Sequence, residues 1–210
     1  MADMEKLSKA LVEADRAAVN GLVQEALNAG MAADSILRQG LIAGMDIVGE
    51  RMEEGEMFIP EVLQGAQIMS GALDILRPHL TADQTALSGK VIIGTVKGDL
   101  HDIGKNLVPL MLKSSGFEVV DLGVDVSPQA FTEATAKHQP NIVALSALLT
   151  TTMEQMGKTV ESLKEAGLRD QVRVIVGGAP VSQKFAEQIG ADGYAPDAGS
   201  AVKTAKAFLA

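Results

Sequence analysis

The chain has 210 residues, 47% of them hydrophobic, with a net charge of −9 and no cysteine. That length allows one domain or two with a real core, and the missing Cys excludes disulfides, thiolate metal sites, iron–sulfur clusters and a Cys nucleophile. The acidic balance argues against nucleic-acid binding. No run reaches the ~18 to 20 apolar residues of a membrane span, and the N-terminus lacks a secretory pattern, so a cytoplasmic protein is expected.

Residues 3–29 are rich in Ala, Leu, Glu and Lys and predict helix, with Asp15 capping a second segment and Asn28 and Gly30 ending it. Asp34 or Ser35 caps the next helix, whose apolar stripe is Leu37, Leu41, Met45, Val48 and Met52. Glu53–Glu56 reads as a turn. Pro60 opens a fourth helix with the stripe Val62, Ala66, Met69, Leu73 and Leu76, and Pro78 closes it. Four amphipathic helices with short connections predict a helical bundle over residues 1–80. Residues 81–89 read as a linker. Charge changes across it: residues 1–88 carry a net −8 and residues 89–210 a net −1, which supports two domains with different surfaces.

From Lys90 short β-rich runs alternate with helical stretches: 91–96 then 104–115, 117–122 then 128–138, 142–146 then 152–166, 172–176 then 180–189, and a run near Gly193-Tyr194 then 198–209. The apolar runs are continuous, as parallel strands buried on both faces require. Residues 90–210 therefore predict a doubly wound, flavodoxin- or Rossmann-like α/β domain with five parallel strands.

The first strand, Val91-Ile92-Ile93, leads into a polar loop with Asp99, His101, Asp102, Ile103 and Gly104. A strand that stops, a polar loop and a helix that starts make a ligand site in an open α/β sheet. Gly104-Lys105 is followed by Asn106, so this is no P-loop, and G-x-G-x-x-G, H-E-x-x-H and G-x-S-x-G are all absent. Asp99 beside His101 would fix the ring tautomer and make the other nitrogen a better ligand. One His with carboxylates is too few for an all-protein zinc site, but enough for a metal that arrives mostly coordinated. Asp102 reads as a ligand or as a cap of the following helix. The third strand exits through Ser146, Leu148, Thr150 and Thr152; the fourth ends in Gly177 and Gly178; the last turn holds Tyr194. Helix capping and tight turns explain these features one by one.

As an ordered set, Asp-x-His-x-x-Gly at Asp99, His101 and Gly104, Ser-x-Leu at Ser146 and Leu148, and Gly177-Gly178 resemble the cobalamin-binding domain. The helical half resembles the cap of its methyl-transferring members. Nearly the whole chain is similar to the corrinoid proteins of the methylamine, methanol and methoxyaryl methyltransferase systems and to the cobalamin module of methionine synthase.

The resemblance implies a cobalamin or related corrinoid that cycles between methylcobalamin and cob(I)alamin, with its benzimidazole displaced as an anchoring tail. It implies His101 as the lower axial cobalt ligand, Asp99 as the acceptor of its far ring nitrogen and Thr152 as the hydroxyl that extends the relay, where relatives often have Ser. Ser146, Thr150, Gly177 and Gly178 match the tail pocket. Met52, Phe58, Ile59 and Val62 match the turn that covers the methyl face, although some relatives carry an aromatic at the position of Met52. An apolar lid there would protect reduced cobalt and swing aside for transfer.

The function implied is a methyl carrier, loaded by a substrate-specific methyltransferase, emptied by a second methyltransferase acting on a thiol or tetrahydropterin, and served by a reductive activator. Alternatives are a cobalamin sensor or regulator, the small subunit of an adenosylcobalamin mutase, and a divalent-metal site at Asp99, His101 and Asp102.

Overall fold

The structure is a computed structural model that describes residues 3–80 and 89–209. It falls into two compact units, one of helices and one α/β. The expected linker, apart from Gly89, lies outside the described residues.

The helical unit holds α1 (Met4–Val12), α2 (Arg16–Asn28), α3 (Ala33–Ile36) continuing through Leu37–Ile42 into α4 (Ala43–Glu53), and α5 (Ile59–Leu76). Asp3 and Asp15 cap α1 and α2 by accepting the Lys6 and Ala18 N–H groups, each satisfying one of the donors a helix start leaves open. At α5 the residue before the helix is Phe58, which has no oxygen to offer. The Glu61 carboxylate instead reaches back to the Phe58 N–H at 2.8 Å. Leu7, Leu11, Val19, Ile36, Leu41, Met45, Val62, Met69 and Leu76 are all buried, so the predicted stripes form the bundle core.

Two local features differ from expectation. Neither Asp34 nor Ser35 caps α3. Its preceding residue is Ala32, and the Asp34 carboxylate is taken by Arg38 one turn on, at 2.9 Å. Leu37–Ile42 is wound as π-helix rather than α-helix. A Cβ on Gly40 would lie 2.4 Å from the Leu7 side chain, so α1 packs directly on this backbone. Ser8 Oγ donates to the Gly40 carbonyl at 2.8 Å.

The α/β unit runs β1 (Gly89–Thr95), α6 (Ile103–Ser114), β2 (Phe117–Asp121), α7 (Pro128–His138), β3 (Ile142–Ser146), α8 (Glu154–Glu165), β4 (Arg173–Gly177), α9 (Gln183–Gln188), β5 (Gly193–Ala195) and α10 (Ala198–Leu209). All five strands are parallel, in the order β2-β1-β3-β4-β5. Ile92, Val143, Leu145, Val174 and Val176 form the core with Phe131, Met156 and Leu163 from the helices. The winding direction reverses between β1 and β3, and the crevice beyond the carboxyl ends of these strands is where ligands settle in such sheets. Thr95, Ser146, Gly177 and Ala195 pair successively across β1, β3, β4 and β5, forming one row at that edge.

Candidate functional site

The loop from Val96 to Asp102 leaves that row next to the reversal point. Asp99 is fully buried, whereas the His101 side chain is 51% exposed. The two meet at 2.7 Å between Asp99 Oδ1 and His101 Nδ1, and Oδ1 also accepts the His101 backbone N–H. Asp99 Oδ2 accepts the N–H groups of Leu148 and Leu149, at 2.8 and 3.2 Å. Thr152 Oγ lies 2.8 Å from the same oxygen and 2.9 Å from the Leu149 carbonyl, so its single proton can serve either.

These contacts settle the charge. Burial alone would raise the Asp99 pKa. The hydrogen bonds from Leu148, His101 and Thr152 outweigh it and hold this carboxyl well below the usual carboxylate range. An ionised carboxylate only accepts, so Nδ1 carries the ring proton. In the neutral ring this tautomer leaves the lone pair on Nε2, the nitrogen that could take a ligand.

The loop is held from outside itself as well. Thr95 is buried, and its hydroxyl donates to the His101 carbonyl at 2.9 Å. Asp125, in the loop after β2, accepts the Gly98 N–H at 2.7 Å and donates its own N–H to the Asp99 carbonyl at 3.0 Å. Lys105 in the first turn of α6 is buried and pairs with both oxygens of Asp121 at 2.7 and 2.6 Å, fastening the helix start to the end of β2. Asp102 stands just before α6, accepts the Asn106 N–H through its carbonyl, and is exposed.

Around the exposed imidazole the surface is unusually apolar. Leu100 is 71% and Ile103 82% exposed, and Leu148 and Leu149 are also exposed. Polar loops at strand ends rarely display four large aliphatic residues to water, and such a patch marks a binding face. A Cβ on Gly104 would meet nothing within 4 Å, so no group of the protein itself requires glycine there. The residues present therefore suit a broad apolar group carrying a metal with one vacant position. Among the described residues no cluster of three or more His, Cys, Asp or Glu could hold a metal ion, so Asp99, His101 and Asp102 do not assemble a divalent-cation site.

The remaining candidates are distributed along the same edge. Ser146, Gly177 and Gly178 are partly buried, Thr150 is exposed, and Tyr194 packs partly against the sheet core. Gly178 has φ +128°, and a Cβ there would lie 1.9 Å from the Ala147 carbonyl; one on Gly177 would lie 2.6 Å from the Ala195 carbonyl. Close approach of the protein's own backbone thus requires this pair. In the helical unit Phe58 and Ile59 are exposed, Met52 is half-buried and Val62 is fully buried.

Sequence reasoning missed Thr95 and Asp125. A hydroxyl residue ending an apolar strand is a visible signal for Thr95. Asp125 acts across 27 positions in the chain and gives no local signal.

Comparison with known proteins gives the family. Residues 89–203 match the model of the B12 binding domain, and residues 4–77 match a second model also described as a B12 binding domain. The chain belongs to the B12-binding corrinoid-protein family. It is 44% identical over 206 residues to trimethylamine corrinoid protein 2 of Methanosarcina mazei, covering 97% of this chain and 94% of that protein. Among solved structures, a cobalamin-binding protein from Desulfitobacterium hafniense superposes with a TM-score of 0.88 at 35% identity over all of both chains. The methanol:cobalamin methyltransferase complex MtaBC of Methanosarcina barkeri gives a TM-score of 0.83 at 31% identity, covering 98% of this chain and 79% of that one.

Proposed function

We propose that the protein is a methyl carrier, a cytoplasmic corrinoid subunit that is loaded by one methyltransferase and unloaded by another. The observation that carries this reading is the exposed His101 ring with its Nδ1 bound to a buried, ionised Asp99, on loops that also expose Leu100, Ile103, Leu148 and Leu149. A bound corrinoid supplies a cobalt that takes up and releases a methyl group.

The chain's own residues would do the rest. His101 would hold the metal from below through Nε2. Asp99 would fix the tautomer and strengthen the ring as a donor, the role of a carboxylate behind a metal-bound imidazole. Thr152 would tune Asp99 by giving or withdrawing one hydrogen bond. Leu100, Ile103, Leu148 and Leu149 would exclude water from the lower face, and the space over Gly104 would admit the ring edge. Ser146, Thr150, Gly177, Gly178 and Tyr194 would line the path of the tail.

The helical unit, taken as residues 1–80 and joined through 81–89 to residues 90–210, would be the cap. Phe58 and Ile59 would supply its apolar surface, Met52 its margin and Val62 the packing beneath. The methanol:cobalamin methyltransferase complex among the similar structures supports a substrate-specific methyltransferase as one partner; a second methyltransferase and a reductive activator would complete the cycle. No helix among the described residues is long and apolar enough to cross a membrane.

The test is spectroscopic. Protein loaded with methylcobalamin is expected to be red, and His101→Ala is expected to shift its visible spectrum as the axial nitrogen is lost. An unchanged spectrum sinks the assignment of the ligand. Co-purification of a methyltransferase that demethylates the loaded protein supports the carrier; demethylation by no partner, with a change of oligomer on photolysis of a bound adenosyl group, supports a sensor instead.

A further inference from the structure

We infer that Asp125 is a positioning residue for His101, acting through the backbone on either side of the Gly98–Asp99 peptide bond; this rests on the reading of His101 as the axial ligand. Asp125 is exposed and is a hydrogen-bond partner of neither the imidazole nor the Asp99 carboxylate. It has instead two bonds to the backbone at the entry of the histidine loop. Its Oδ1 accepts the Gly98 N–H at 2.7 Å, and its N–H donates to the Asp99 carbonyl at 3.0 Å. The two bonds hold the peptide groups on either side of the Gly98–Asp99 peptide bond, so turning about a single backbone bond of Gly98 or Asp99 would break one of them.

The conformation of Asp125 fits this role. Its φ is +55°, in the left-handed region that costs most residues energy and that Asp tolerates better than most. Gly98, the residue it grips, is also left-handed at φ +83°. The neighbours of Asp125 extend the same support: Gly123 accepts the Thr95 N–H at 2.9 Å, and the Val126 N–H donates to the Thr95 carbonyl at 3.0 Å. The loop after β2 thus runs alongside the end of β1 and fixes where the Asp99 backbone stands. The Asp99 carboxylate can aim the imidazole only if that backbone stays in place, because a supporting group sets the precision of the group it supports.

Two substitutions separate the side chain from the backbone. Asp125→Gly keeps the left-handed conformation without strain and removes the acceptor. Asp125→Asn keeps an acceptor oxygen and tolerates the same conformation. In the protein without corrinoid, Asp125→Gly is expected to speed amide exchange at Gly98 by about tenfold, the loss of one charge-assisted hydrogen bond, with Asp125→Asn close to the wild type. With added cob(II)alamin, the nitrogen splitting in the electron paramagnetic resonance spectrum, which reports an axial imidazole, should weaken in Asp125→Gly, return in Asp125→Asn and vanish in His101→Ala.

Wild-type exchange at Gly98 and full splitting in Asp125→Gly overturn the proposal. So does loss of protection throughout the α/β unit, because Asp125 would then hold the fold rather than the loop. Splitting that survives His101→Ala overturns the ligand reading, while exchange at Gly98 still decides whether Asp125 grips the loop.

Discussion

Gly104 opens α6 after the loop that leaves β1, Gly178 lies in the loop that leaves β4, and a methyl group added to each would meet different things. At Gly178 it would strike the Ala147 carbonyl, and at Gly104 it would stand in open space. The loop after β4 is closed against its own backbone. The loop after β1 is closed beneath, where Asp99 is saturated by donors, and open above, where His101 and four aliphatic side chains face outward. At Gly178 the protein's own backbone requires glycine; at Gly104 no neighbouring group does. Glycines at two strand exits of one sheet therefore do not carry one meaning.

Substitutions can break this contrast. Gly178→Ala is expected to have the largest effect. Backbone overlap together with a left-handed φ should cost about 4 kcal/mol or more, seen in thermal melting as a chain that fails to refold or melts at least about 8 °C lower. A variant of normal stability would show that the loop after β4 can yield.

Asp99→Asn comes next. The amide has one acceptor oxygen where the carboxylate has two, so buried donors lose their partner at about 2 to 4 kcal/mol in total. The pH dependence has a fixed sign. The folded pKa of Asp99 lies below its ordinary value of 3.8, so its stabilisation is complete above that value and is lost as pH falls from 3.8 towards the depressed folded pKa. Acid denaturation curves should therefore be flatter in this range for Asp99→Asn than for the wild type. Equal acid limbs would mean that Asp99 is not held ionised by the fold.

Gly104→Ala should have the smallest effect on stability. With nothing to strike, the methyl group leaves the fold unchanged or stabilises α6 by up to about 1 kcal/mol. Corrinoid affinity, measured by equilibrium titration, should nevertheless fall. A variant that binds as well as the wild type would show that the open space is not used.

Much of this was legible in the sequence. The change from helical to strand periodicity near Lys90 located both halves of the fold, because buried faces force hydrophobic residues into the period of their element. Asp99, His101 and Thr152 were legible as a set, and the structure brings all three together. The π-helical winding at Leu37–Ile42 was not, because it accompanies the packing of Leu7 on Gly40, a contact between distant segments. The cap expected from Asp34 or Ser35 failed because the helix starts earlier, at Ala33, and both residues lie inside it. The burial of Val62 followed from its own stripe, Val62 to Leu76, and that stripe already placed it inside the bundle. Asp125 was hidden by its distance along the chain from the loop that it holds.

The saturation of Asp99 has a consequence for where a proton can reside. A carboxylate already accepting from the His101 ring and backbone, from Leu148 and Leu149 and from Thr152 has no lone pair left uncontested. Nδ1 is already protonated. The ring nitrogen left over, Nε2, belongs to a side chain that is half exposed. A proton and a metal cannot occupy one lone pair together, so whatever Nε2 holds, it holds one of them at a time.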